Sequence, residues 1–248
     1  MRLFSPLALA AMIAASPAFA QDAGWDYRTT VYLWLPGISS TVETPKGTAE
    51  ADVSAGDALS ALDMGFMGSV AAQNGPWVLW GDLVYTDLSA TNPTPHGLAF
   101  SEVTTKSRMT AVTLYALYDV NPAPEVQLAF GAGVRAFDMS LETTLSGGVG
   151  GAGGNFTQSG SDSWLVPVLA AQAFAPINDR WYVTGVADWG KTGNDNETWQ
   201  VYAGVGYRIN ENWSTQLGYR YMDLSKDIDN SKVELGMGGV LLGMTYEF

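Results

Sequence analysis

One histidine and three nearby oxygen-bearing side chains are the residues of this sequence best suited to acid–base chemistry. His96 is the only histidine, and Asp87, Ser101 and Glu102 lie close to it in the sequence. An imidazole that titrates near neutral pH can serve as a general base beside a carboxylate and a hydroxyl nucleophile. A hydrolase is therefore one function to consider. No enzyme motif surrounds His96, however, and a single histidine in the predicted loop 89–106 is typical of a solvent-exposed residue, so we expect no catalytic residues.

Seven charged residues form a second group with chemical potential, because all of them fall on the same side of alternating segments. Apolar and polar residues alternate through these segments with a period of two, which indicates β-strands with one apolar face. Four basic and three acidic side chains share the other face with large aromatics such as Tyr32 and Tyr115. Isolated charges in a narrow space would be costly, so we expect mutual pairing. The group is Arg28, Asp82, Arg135, Asp188, Arg208, Arg220 and Glu247.

Ten alternating segments, joined by alternately short and long connections, must position these charges. Short connections carry turn residues, as in Asn74-Gly75-Pro76, and they alternate with long connections such as 37–61 and 143–162. Short turns on one side and long loops on the other are typical of transmembrane β-barrels. Charge is costly against lipid, so the charged face is expected to line the lumen. The predicted strands are 27–36, 62–73, 77–88, 107–120, 125–142, 163–175, 180–190, 197–209, 213–225 and 232–248.

Two features of this strand assignment stay open. Ten strands are favoured, and eight follow instead if the first pair, which is separated by the long segment 37–61, is misassigned. In the sixth segment, 163–175, the alternation does not decide which face is inward. Pro167 lies in that segment and cannot donate a ladder hydrogen bond, so it predicts a bulge or a position at the rim.

The two ends of the chain indicate export and assembly in an outer membrane. Residues 1–20 combine Arg2, a short apolar run and a small-residue cleavage site at Ala18-Phe19-Ala20, which predicts a secretory signal peptide. Residues 21–248 would then form one barrel domain in the cell outer membrane. The last strand places Tyr246 and Phe248 on its apolar face. This ending resembles the C-terminal signature of bacterial outer-membrane barrels, and the resemblance implies that Tyr246 and Phe248 act as an assembly signal.

Aromatic residues near the predicted strand ends are expected to form two girdles at the membrane–water interfaces. Trp77, Trp181, Trp213 and Phe248 fall near the periplasmic ends. Trp164, Trp189, Trp199 and Tyr85 fall near the outer ends.

Composition limits the partners of this protein. Twelve basic and 25 acidic residues give a net charge of −13, which argues against nucleic-acid binding. Zero cysteines exclude disulfides and thiolate metal sites. We expect no cofactor and no metal. The expected partners are outer-membrane lipids, lipopolysaccharide and, during biogenesis, the barrel-assembly machinery. The oligomeric state stays open.

Several segments resemble a known group of membrane proteins. The runs 32–39, 62–68 and 77–88, together with Gly133-Val134-Arg135 and Gly218-Tyr219-Arg220-Tyr221, are similar to small proteobacterial outer-membrane proteins of the OmpA-like and opacity-type group. The resemblance implies an all-β fold, a transmembrane antiparallel up-and-down β-barrel. We favour a non-enzymatic barrel with surface-exposed loops and a structural or surface-contact role in the envelope. A narrow passive channel for small solutes is the alternative, and an outer-membrane hydrolase comes third.

Overall fold

Antiparallel β-strands make up nearly all of the regular structure. The computed structural model describes residues 24–44, 47–94, 100–121, 126–147, 155–193, 196–228 and 231–248, so the predicted signal peptide and His96 lie outside the described residues. The elements are β1 (Asp26–Thr44), β2 (Gly47–Val53), α1 (Ala55–Ser60), β3 (Leu62–Asn74), β4 (Trp77–Pro93), β5 (Glu102–Asp119), β6 (Gln127–Ser146), β7 (Phe156–Pro176), β8 (Trp181–Thr192), β9 (Asn196–Arg208), β10 (Trp213–Ile228) and β11 (Ser231–Glu247).

Ten of these strands close into an up-and-down barrel. From β3 to β11, each strand pairs with the next strand along the chain; β1 pairs with β3 on one side and with β11 on the other. Closure gives each transmembrane strand a partner on both sides, which satisfies backbone groups that would otherwise lack water in the bilayer. The prediction of a ten-stranded, all-β barrel is confirmed. No helix among the described residues is long and apolar enough to cross a membrane.

The long segment after the first predicted strand contains structure of its own. β1 continues to Thr44, and its outer half pairs with β2 from Ile38 to Thr44. The helix α1 follows, and Ser54 caps it by accepting a hydrogen bond from the backbone N–H of Asp57. These elements lead the chain back to β3 at the outer end of the barrel.

The burial pattern settles which face of each strand is inward. Leu79, Leu114 and Leu169 are exposed on the outward, lipid-facing side. In β7, the strand whose facing was open, Val166 and Val168 are buried inside the barrel. Even-numbered residues of β7 therefore face the lumen.

Pro167 lies just beyond the end of the β7–β8 ladder. The β7–β8 ladder ends at Leu169 and Trp189, two residues below Pro167. Pairing with β6 runs through Pro167 without a register shift. The carbonyl oxygen of Pro167 points toward Gly190, on the β8 side. The nitrogen of Pro167 therefore faces the side on which β7 needs no ladder hydrogen bond. Pro167 marks the rim of the β7–β8 pairing and not a bulge.

The barrel wall is uneven at its outer end. β6 and β7 contain 20 and 21 residues, twice the ~9–11 residues that cross a membrane. β8 and β9 contain 12 and 13 residues. The longer strands stay paired beyond the point where β8 ends, and their outer ends form a four-stranded sheet. We call residues 88–93, 102–107, 141–146 and 156–160 the outer sheet.

Most of the predicted girdle residues are exposed near the strand ends. At the periplasmic end, the rings of Trp213 and Tyr246 lie 4.8 Å apart and those of Tyr246 and Phe248 lie 4.9 Å apart. Trp164 was wrongly assigned to the outer girdle. It lies on the inward face of β7 and stacks on Phe137 with 5.0 Å between ring centroids.

Candidate functional site

A fully buried ion pair lies in the lumen between β6 and β8. Nη2 of Arg135 lies 2.6 Å from Oδ2 of Asp188, and both side chains are 0% exposed. The guanidinium also donates to the hydroxyl oxygens of Thr113, Thr198 and Tyr115, at 3.0, 3.1 and 3.0 Å. These additional acceptors offset the cost of removing the arginine from water.

A second buried ion pair lies between β4 and β10. Nη2 of Arg220 lies 2.9 Å from Oδ1 of Asp82, and each side chain is 5% exposed. Nη1 of Arg220 donates to the Tyr32 hydroxyl at 2.8 Å, and that hydroxyl donates to Oδ2 of Asp82 at 2.7 Å. The amide oxygen of Gln200 accepts from Nε and Nη2 of Arg220, at 3.0 and 2.7 Å.

Gln200 and Tyr115 join the two ion pairs into one network. The amide nitrogen of Gln200 donates to the Tyr115 hydroxyl at 2.8 Å, and Tyr115 donates to Asp188. Two arginines balance two aspartates, so the network is electrically neutral. It connects seven of the ten barrel strands across the lumen. We call it the lumen network: Tyr32, Asp82, Thr113, Tyr115, Arg135, Asp188, Thr198, Gln200 and Arg220.

The remaining three charges of the predicted group lie elsewhere, at the periplasmic end. Arg28 and Glu247 are direct register partners on β1 and β11. Arg208 lies over the ring of Tyr182, 5.4 Å from its centroid, and its Nη1 donates to the backbone oxygen of Asp179 at 3.4 Å. The structure therefore brings together Asp82, Arg135, Asp188 and Arg220, and it keeps Arg28, Arg208 and Glu247 apart from them.

Three members of the lumen network were not anticipated from the sequence. Gln200, Thr113 and Thr198 are uncharged, so a search for charges misses them. Their inward position on the strands was the available signal, because Gln200 shares the parity of Arg208 in β9. Tyr32 and Tyr115 were anticipated only as space-filling aromatics, but their hydroxyls connect the charges.

An apolar cavity of about 1000 Å³ occupies the outer half of the lumen, above the network. Four methionines, Met67, Met109, Met139 and Met237, are among its lining residues. Trp34 also lines it and is 1% exposed.

Trp34 connects the cavity to the lumen network. Its ring centroid lies 5.0 Å from the guanidinium carbon of Arg220. Its indole N–H has no hydrogen-bond partner among the described residues.

Three carboxylates of the barrel wall are engaged by arginine. Asp82 and Asp188 belong to the lumen network, and Asp87, considered above for hydrolase chemistry, accepts from Arg108 at 2.7 Å on the outward face. Within the described ranges, no three potential His, Cys, Asp or Glu ligands come together to hold a metal ion. The arrangement resembles a packed core with a cavity above it.

Comparison with known proteins agrees with the barrel. The family model described as "Outer membrane protein beta-barrel domain" matches residues 6–240. No curated protein matches the chain.

Among solved structures, the outer membrane protease OmpT from Escherichia coli aligns with a TM-score of 0.60 and 9% identity, covering 91% of this chain and 97% of that one. The translocator domain of autotransporter NalP from Neisseria meningitidis aligns at 0.45, with 13% identity over 98% and 95% of the two chains. Ail, the attachment invasion locus protein of Yersinia pestis, aligns at 0.38, with 14% identity over 91% and 99%. At 9% identity the likeness to OmpT shows the fold alone. The family model covers nearly the whole chain. This protein therefore belongs to the outer-membrane protein β-barrel domain family and lies in the outer membrane.

Proposed function

We propose that this protein is a non-enzymatic outer-membrane barrel that acts at the cell surface through its outer sheet. The observation that carries this proposal is the length of β6 and β7, which exceeds the membrane-crossing requirement about twofold. Ordering a projecting sheet costs conformational entropy, and contact with another surface would offset that cost. The lipid-embedded barrel then serves as the anchor for this sheet.

The burial of the lumen charges favours this role over that of a passive channel. Charges that line a conducting pore stay hydrated, because ions must exchange their water with the wall. Arg135 and Asp188 are instead completely buried and paired with each other. Eight strands leave an interior just filled by side chains, whereas the water-filled porins have 16–18 strands. A ten-stranded barrel with a central network is close to the filled limit.

The state of the carboxylates supports a non-enzymatic role. A general base needs an accessible lone pair within reach of substrate. Asp82 and Asp188 are buried against Arg220 and Arg135, and Asp87 accepts two hydrogen bonds from Arg108.

Shortening the outer sheet tests the proposal. Replacing residues 143–158 by Asn-Gly leaves the paired residues Glu142 and Ser159 beside a two-residue turn that suits a hairpin. We expect normal amounts of barrel in the outer membrane and loss of cell attachment to a polystyrene surface. The matched control replaces residues 227–232 by Asn-Gly between Lys226 and Val233, which shortens the hairpin on the opposite wall.

Survival of the cells in dodecyl sulfate is measured in parallel. Attachment that is lost only in the 143–158 variant, with unchanged detergent survival, supports surface contact. Attachment that is equal with and without the protein contradicts the proposal. Lower detergent survival with unchanged attachment would also contradict it, because that result assigns an envelope-stabilising role.

A further inference from the structure

We propose that the apolar cavity above the lumen network binds a hydrocarbon-chain molecule that carries one hydrogen-bond acceptor. Neither surface contact nor a closed lumen requires such a cavity, so the inference goes beyond the proposed function. Three observations support it: the size and lining of the cavity, the unpartnered indole of Trp34, and the low wall beside β7.

The size and lining of the cavity suit an apolar ligand. Its volume of about 1000 Å³ lies at the upper end of the ~300–1000 Å³ found for small-molecule sites. Methionine side chains are flexible and polarisable, so Met67, Met109, Met139 and Met237 can adapt to chains of different shape.

Trp34 supplies a hydrogen-bond donor at the inner end of the cavity. A buried donor without an acceptor is costly, and such groups are rare in folded proteins. The indole N–H of Trp34 is unpaired among the described residues and belongs to a side chain that lines the cavity. The nitrogen is itself buried, so a ligand oxygen would reach it and satisfy it when a flexible side chain of the lining, such as Met67, moves aside.

The charge around Trp34 selects the kind of acceptor. The guanidinium of Arg220 lies 5.0 Å from the Trp34 ring, and its charge is balanced by Asp82 at 2.9 Å. The inner end of the cavity is therefore neutral. A neutral acceptor, such as a ketone, ester or alcohol oxygen, fits this environment better than a carboxylate, whose desolvation would not be compensated.

The uneven wall gives the cavity an approach from the side as well as from above. Outward from Leu169, residues 156–168 of β7 have no ladder pairing with β8. Lys226 on β10 pairs with Asp162 on β7 across this low part of the wall, and its Nζ lies 4.0 Å from the centroid of the Trp164 ring. A hydrocarbon chain could enter here from the outer leaflet, as a lipid, or from outside, as a free molecule.

Binding of tritiated 2-dodecanone and tritiated dodecane tests the site. The refolded protein is placed in phospholipid nanodiscs and, separately, in lipid-free amphipol, and binding to the empty carriers is subtracted. We expect saturable binding of both probes, with the ketone roughly fivefold tighter than the alkane, as one net hydrogen bond provides. Binding in both carriers assigns the site to a free molecule. Binding in amphipol alone assigns it to a membrane lipid that occupies the cavity in nanodiscs.

Two variants and a control make the test specific. Trp34→Phe keeps an aromatic ring and removes the donor, so it should abolish the preference for the ketone while the alkane still binds. Ser107→Trp fills the cavity from β5 and should weaken binding of both probes at least fivefold. Thr110→Trp places the same indole side chain on the outward face of β5 and should have no effect.

The proposal is overturned by absence of saturable binding in both carriers, or by equal effects of Ser107→Trp and Thr110→Trp. A ketone preference that survives in Trp34→Phe overturns the assignment of the acceptor. The Ser107→Trp variant keeps Trp34 unchanged, so the site remains testable if the Trp34→Phe variant fails to fold.

Discussion

Arg135 shows how a charged residue can be kept inside a narrow barrel. Its guanidinium contacts one carboxylate and three hydroxyl oxygens, so none of its charge faces lipid or an empty space. Replacing a buried pair as a unit is often harmless, whereas removing one partner leaves the other charge buried and unpaired. Removing either arginine of the lumen network is therefore expected to destabilise the barrel, because its aspartate partner would stay buried without a counter-charge.

Arg135→Ala should destabilise the barrel strongly. The change leaves Asp188 unpaired, and loss of one partner of a buried pair costs about 3–5 kcal/mol. The temperature at which the folded band shifts in detergent gels measures this loss. Arg28→Ala is the control, because Arg28 lies at the half-exposed periplasmic end and outside the lumen network. The double variant Arg135→Met with Asp188→Leu should recover much of the stability. An unfolding temperature that is equal in Arg135→Ala and the parent would contradict the structural role.

Tyr115→Phe should have a smaller, measurable effect on stability. The hydroxyl accepts from Arg135 and Gln200 and donates to Asp188. Removing it leaves these groups with fewer partners, at a cost of roughly 1–3 kcal/mol. Tyr118→Phe on the same strand is the control, since Tyr118 is exposed on the outward face. The same gel assay applies, and equal temperatures for the two variants would show that the hydroxyl does not join the ion pairs.

At the scale of elements, the membrane explains which strands could be predicted. Lipid requires an apolar outward face, so alternation inside the bilayer located all ten barrel strands, although in β7 it did not decide which face is inward. Above the membrane both faces meet water, and the alternation disappears. Residues 156–163 of β7 are uniformly exposed, and β2 is exposed throughout. The segments 37–61, 89–106 and 143–162 were therefore predicted as loops, although each contains β-structure.

The C-terminal end of β11 carries a prediction about assembly. Phe248 donates its backbone N–H to the Tyr27 oxygen at 3.0 Å, and its exposed ring lies against Tyr246 at the seam between β11 and β1. Phe248→Asp should reduce the amount of assembled barrel without reducing export across the inner membrane, because the signal peptide predicted for residues 1–20 would act earlier. Phe156→Asp, an exposed aromatic in the outer sheet, is the control. Fractionation followed by immunoblotting measures the assembled barrel and the exported protein. Unchanged levels of Phe248→Asp in the outer membrane would show that Phe248 is not needed for assembly.

At the scale of the whole molecule, the lumen has layers that no single strand reveals. A lower apolar cluster includes Leu117 and Val168, the lumen network lies above it, and an upper apolar cluster around Phe137 and Met222 leads to the cavity. The inward charges could be predicted because parity is a local property of each strand. The partners of these charges and the cavity depend on the register between seven strands. The alternation within a single strand carries no information about that register.

This layering predicts that the intact barrel does not conduct ions. In planar bilayers, the refolded protein should produce no discrete conductance steps above the empty bilayer, because we infer that the neutral, buried network blocks the lumen. Charges in a conducting pore are hydrated, so changing them shifts ion selectivity and barely affects stability. Charges in a packed interior behave in the opposite way. Measuring the reversal potential and the gel-shift temperature of Arg135→Ala together separates the two cases. Steady conductance of the parent, with a shifted reversal potential and unaltered unfolding temperature in Arg135→Ala, would make the channel the better account.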